Sequence, residues 1–164
     1  MTVPAMTSQQ VLTALRSGPL REPAHAWLLE VRNSVGYTRQ VRYADALVLS
    51  VWPSRGLWIA GIEVKISRND WLRELDNPKK SAELQRFCHY WWIAAPEGVV
   101  NADELPEKWG HYVIRGQKAR ASQKATLLKP DALTMDFVAS VLRNQSECTA
   151  AIRDRKSTRL NSSH

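Results

Sequence analysis

Asp45, Glu63 and Lys65 are ionisable residues set in stretches that are otherwise apolar. Segments 47–51 and 57–64 are rich in β-branched, aromatic and other apolar residues, and Pro53-Ser54-Arg55-Gly56 between them has turn chemistry. Region 43–65 therefore predicts a β-hairpin with largely buried strands. A charge buried there is costly unless a partner or a metal compensates it. Glu63 and Lys65, two apart on one strand, project from one face, while Ile62 and Val64 project from the other. Asp45 joins them only if the register sets it opposite or diagonal to Glu63. Pairing 52 with 57 would set Asp45 opposite Val64, on the wrong face. An odd-length turn or a bulge is expected, with Gly56 and Gly61 as the residues that would allow it. Two carboxylates on one face make a hard-oxygen site suited to Mg²⁺, with Mn²⁺ as the substitute, and Lys65 lies beside it.

Asp45 followed by Glu63-Val64-Lys65 after a hairpin resembles the PD-(D/E)XK nuclease superfamily, whose motif is an Asp, a variable gap and (Asp/Glu)-X-Lys. Arg42-Tyr43-Ala44-Asp45, Glu63-Val64-Lys65-Ile66-Ser67-Arg68, Asp70-Trp71-Leu72-Arg73-Glu74-Leu75 and Trp91-Trp92-Ile93-Ala94-Ala95-Pro96-Glu97-Gly98 together resemble its MmcB-like DNA-repair and phage-associated branch. The resemblance covers residues 30–143, and Ala44 stands where the superfamily usually has Pro before the Asp. It implies a restriction-endonuclease-like αβββαβ core and a metal-dependent DNA endonuclease or repair nuclease that hydrolyses phosphodiester bonds. A bacterial or phage-encoded cytoplasmic protein with DNA as partner is implied, and a homodimer is admitted. On this resemblance Asp45 and Glu63 hold the cation, with the Val64 carbonyl as a third ligand. Glu30 matches by order the glutamate that often completes such a site, here through water; a solvated glutamate is the equal alternative. Lys65 would orient or deprotonate the attacking water or stabilise the phosphoryl charge, and a cation beside it would lower its pKa.

The elements that must position these residues follow from periodicity. A helix is expected over 8–16, capped by Thr7 or Ser8, with Val11, Leu12 and Leu15 on one stripe and Gly18-Pro19 as its end. Ala24, Trp27, Leu28 and Val31 have helical spacing, but helix and strand both remain open for 22–32. After the hairpin, Ser67 caps a helix with Trp71, Leu72 and Leu75 on its apolar side, broken at Asn77-Pro78, and a second helix runs over 79–87. Residues 90–95 read as a central buried strand, and 112–115 pairs with 119–121 across Gly116-Gln117 as an edge hairpin. A helix over 131–142, capped by Thr134, closes the domain with Phe137, Val138, Val141 and Leu142 buried. The class is α/β, a mixed sheet flanked by helices. The divisions are an N-terminal extension over 1–21, the nuclease-like domain over 22–143 and a tail over 144–153. Residues 154–164 look like a translated sequencing adapter and are set aside; the native chain is expected to continue differently after Arg153.

The chain has 23 basic and 16 acidic residues, a net charge of +7, which favours a polyanionic partner. Ser67 and Arg68 directly follow the catalytic strand and are expected at phosphate. Arg42, Lys79, Lys80, Arg115, Lys118 and Arg120 form the wider expected DNA-binding set. Solvated surface lysines, or edge-strand charges that discourage aggregation, are the other reading of these positions. Cys88 and Cys148 form no disulfide framework, and Cys88-His89 lacks a second ligand pair at zinc spacing. The histidines assemble no Ser-His-Asp pattern, and no apolar run is long enough to cross a membrane. Two rival readings remain: a non-catalytic DNA-binding protein of the same fold, and a structural α/β protein in which Lys65 is an ion-pair partner of Glu63 or Asp45.

Overall fold

The structure, a computed structural model, describes residues 5–32, 43–143 and 145. Arg42 and the segment 154–164 lie outside the described residues, as does all of 144–153 except Gln145. Among the described residues six strands form one mixed sheet in chain order: β1 (His25–Arg32), β2 (Tyr43–Ser50), β3 (Trp58–Val64), β4 (Tyr90–Pro96), β5 (Gly110–Arg115) and β6 (Lys118–Gln123). Strands β1 to β3 form an antiparallel meander, β3, β4 and β5 run parallel, and β6 returns antiparallel along the edge. The helices are α1 (Ser8–Ser17), α2 (Arg68–Asp76), α3 (Ala82–Gln85) and α4 over 135–143. Segment 22–32 is thus extended over 25–32: pairing with β2 outweighs its helix-like spacing.

Each sheet face buries its own core. On one face Val11, Leu12, Ala14 and Leu15 of α1 cover Val48, Ile62, Val64, Tyr112 and Ile114, so α1 is a packing layer of the domain. Its start is held by a reciprocal capping box between Thr7 and Gln10. On the other face Trp71 of α2, Leu84 of α3 and Phe137 of α4 pack over Leu47, Ile59, Trp91, Ile93 and Trp109. Thr134 caps α4 by accepting the Phe137 N–H at 3.2 Å, but Leu142 is exposed instead of buried. The segment after Asn77 is a 3₁₀ turn (Pro78–Ser81) followed by the short α3, so the helix expected over 79–87 is much reduced.

The hairpin register decides where the charges lie. Ser50 pairs with Trp58 and Ala46 with Ile62, which leaves the odd-length loop 51–57 between the strands. A 3₁₀ turn (Pro53–Arg55) and Gly56, at φ 79°, shape that loop. The ladder is unbroken at Gly61, so that glycine makes no bulge. Its role is space: a Cβ there would lie 2.1 Å from the Trp91 ring, which is fully buried against the strand.

Candidate active site

Continued one step beyond Ala46 and Ile62, the β2–β3 register sets Asp45 directly opposite Glu63. Both face the core built by α2, α3 and α4, the side that also carries Leu47 and Ile59. The backbone ties the two strands together at this point, since the Val64 N–H donates to Asp45 Oδ2 at 2.7 Å. Lys65 follows the end of β3, and its backbone N–H donates to the Ala94 carbonyl of β4 at 3.0 Å. Its Nζ donates to Glu63 Oε1 at 2.7 Å and to Glu74 Oε2 at 2.8 Å. Glu63, Lys65 and Glu74 are all buried, while Asp45 is half-buried. Two carboxylates therefore converge on a single lysine while Asp45 faces Glu63 beside them, an excess of negative charge in a place poorly reached by water.

Burial, reinforced by the charge of Asp45, pushes the Glu63 carboxyl up to about 7, although Lys65 pulls the other way. Burial likewise raises Asp45 above the usual carboxylate range, against the Val64 N–H and the charges of Lys65 and Lys80. Burial disfavours the charged form of Lys65, but Glu63 and Glu74 outweigh it and raise its pKa. Without a cation, the two carboxylates thus favour the ammonium form of Lys65.

Glu74 is a member of this cluster that the sequence reading does not single out. On α2, Trp71 and Glu74 are the buried positions, whereas Leu72, expected on the apolar side, is 41 % exposed. The signal available in the sequence is the i, i+3 spacing of Glu74 from Trp71. Glu30 lies on β1 opposite Asp45, between the paired residues Leu29–Ala46 and Val31–Ala44, where the ladder is interrupted. Its backbone is left-handed at φ 54°, uncommon for a residue other than glycine, and its side chain is exposed. It stands on strand β1, which settles for this position the choice between helix and strand that the spacing leaves open.

The expected phosphate-binding residues divide into two groups. Ser67 caps α2 by accepting the Asp70 N–H at 3.2 Å. Arg68 forms a two-pronged pair with Glu104 and donates to the Val99 carbonyl, which straps the start of α2 to the 97–105 loop. Glu104 also accepts the Trp71 indole N–H at 2.9 Å, and these bonds, Arg68 first, hold its carboxyl down at about 2. Arg115 pairs with Glu97 at 2.6 Å but is largely in solvent. Lys79, Lys80, Lys118 and Arg120 are at the surface, Lys80 near enough that its charge is felt at Asp45. Because β3, β4 and β5 run parallel, Lys65, Arg68, Glu97 and Arg115 all lie toward one end of the sheet. Away from this cluster, the buried His111 Nδ1 and Ser122 Oγ share a hydrogen bond of 2.8 Å across β5 and β6, and burial lowers the imidazole pKa.

Among the described residues no group of three or more His, Cys, Asp or Glu side chains lies where it could hold a metal ion. Nor is any helix among them long and apolar enough to cross a membrane. No family model matches the chain, and no curated protein does. Among solved structures, a protein of unknown function from Silicibacter pomeroyi is similar with a TM-score of 0.59 and 20 % identity, over 99 % of this chain and 96 % of that one. At that identity the likeness concerns the fold.

Proposed function

We propose that this chain is a metal-dependent deoxyribonuclease with a restriction-endonuclease-like core, hydrolysing phosphodiester bonds in DNA. The observation that carries this reading is the facing pair Asp45 and Glu63 with the Lys65 ammonium on Glu63. The element order α1, β1, β2, β3, α2 with α3, β4 supports it by following the αβββαβ sequence of such cores. The donor set suits Mg²⁺, which is commonly held by one or two carboxylates together with waters and substrate phosphate oxygens, without an all-protein cage. Glu63, with a pKa near neutrality, readily exchanges its proton for a cation. A divalent cation held by Asp45 and Glu63 would supply Lewis-acid stabilisation of the charge developing on the phosphoryl group.

The chain's own residues have separate tasks in this account. The Val64 N–H fixes Asp45 Oδ2, which leaves Oδ1 to bind. Lys65, hydrogen-bonded to Glu63 and Glu74, places a positive charge where the pentavalent phosphoryl group would develop its negative charge. Lys80 and the exposed basic residues of β5 and β6 draw the phosphate backbone toward that end of the sheet. The test is cleavage of labelled linear duplex, single strand, flap and four-way junction in Mg²⁺, Mn²⁺ or chelator. Cleavage that requires metal and falls at least about 10²-fold in Lys65→Ala and Glu63→Ala is expected. Folded variants that cut as well as wild type would contradict it. A second reading, a DNA-binding protein without cleavage, draws on the exposed Lys118 and Arg120, and salt-sensitive binding with no cut product would favour it.

A further inference from the structure

We propose that Glu74 is a positioning residue that keeps Lys65 seated while Glu63 turns to a divalent cation, a role that rests on the reading of Asp45 and Glu63 as cation ligands. The Lys65 ammonium is shared between Glu63 at 2.7 Å and Glu74 at 2.8 Å, and all three side chains are at least nine-tenths buried. An ammonium in such surroundings needs a carboxylate partner. If Glu63 were its sole partner, cation and lysine would compete for the same oxygens, and loosening the pair would strand a buried charge. Glu74 removes that conflict. It approaches from α2 while Glu63 approaches from β3, so Lys65 stays neutralised and in place when Glu63 is engaged elsewhere. The helix is firmly set for this purpose: Ser67 caps it, Trp71 anchors it in the core and Arg68 ties it to Glu104.

The experiment is a calorimetric titration of the full chain with Mn²⁺, without DNA, in wild type, Glu74→Gln, Glu74→Asp, Lys65→Met and the Lys65→Met/Glu74→Gln pair, each checked for folding by circular dichroism. Glu74→Gln is expected to weaken Mn²⁺ affinity about tenfold, the scale of a missing hydrogen bond to a charged group. In the Lys65→Met background the same substitution should change affinity little, because no lysine is left to compete. Glu74→Asp, one methylene too short, should behave like Glu74→Gln; this comparison keeps its force even if Lys65→Met does not fold. Equal losses in both backgrounds, or full affinity in Glu74→Asp, would mean that Glu74 acts only through its charge and would overturn the proposal. Wild-type binding that Glu74→Gln leaves unchanged overturns the positioning role alone. Absence of any Mn²⁺ binding by wild type overturns the nuclease reading and this role together.

Discussion

Glu63 holds its proton more tightly in the folded chain than a free glutamate does, because burial and the facing Asp45 both disfavour its charge. Its contribution to stability is therefore full below the ordinary value of 4.5 and is lost as pH rises through about 7. Glu104 has the opposite sign: its carboxyl is held at about 2, so its contribution is present above 4.5 and disappears as pH falls toward 2. Urea denaturation of the metal-free protein should show stability falling by on the order of 1–3 kcal/mol between about pH 5 and about pH 8. Glu63→Gln should flatten that decline and leave the protein more stable than wild type at the upper end, since the group that suits the proposed chemistry is a liability for folding. A decline of the same size in Glu63→Gln would assign it to other groups. Asp45, Glu63 and Lys65 are legible in the sequence because a charge inside an apolar strand is conspicuous. Glu74 is much less so: its i, i+3 spacing from Trp71 puts it on the inner side, but a glutamate on a largely polar helix otherwise has the same local appearance whether it faces water or a buried lysine.

At the scale of elements, the site depends on how closely β3 and β4 approach. Gly61 lies two residues before Glu63 on the same face, and the Trp91 ring occupies the space that a side chain there would need. Gly61→Ala should cost about 2 kcal/mol or more in denaturant unfolding, as forced overpacking does. A neutral result would show that Trp91 can shift. The Arg68–Glu104 pair is a strap between α2 and the 97–105 loop, so Arg68→Ala should lower Tm while leaving the salt dependence of DNA binding unchanged. A reduced salt slope would instead show that Arg68 reaches phosphate, as the sequence leads one to expect. The hairpin, the central strand, the edge hairpin and α1 are readable from alternation, turn residues and caps. The strand β1 is ambiguous in sequence because Trp27 and Val31 fit a helical stripe, and only pairing with β2 resolves them. The odd-length loop 51–57 follows from a physical demand, that Asp45 and Glu63 share a face, and not from any turn signature.

Across the whole molecule, a net charge of +7, of which +5 lies outside 154–164, and a parallel strand end bearing Lys65, with Lys80 and the basic β5–β6 hairpin nearby, are what the proposed DNA-binding role draws on. Removing Lys118 and Arg120 together should weaken DNA binding uniformly across sequences and reduce the salt slope by about 1 for each phosphate no longer neutralised. An unchanged slope would leave those side chains as edge protection only. The central claim is narrower: two carboxylates facing each other across β2 and β3 hold a divalent cation. The most direct test is calorimetric binding of Mn²⁺ to wild type, Asp45→Asn and Glu63→Gln at neutral pH. One site per chain is predicted in wild type, with affinity lost in both variants while they remain folded. Equal binding in all three, or none in wild type, would contradict the claim and leave Lys65 as the structural partner of two buried glutamates.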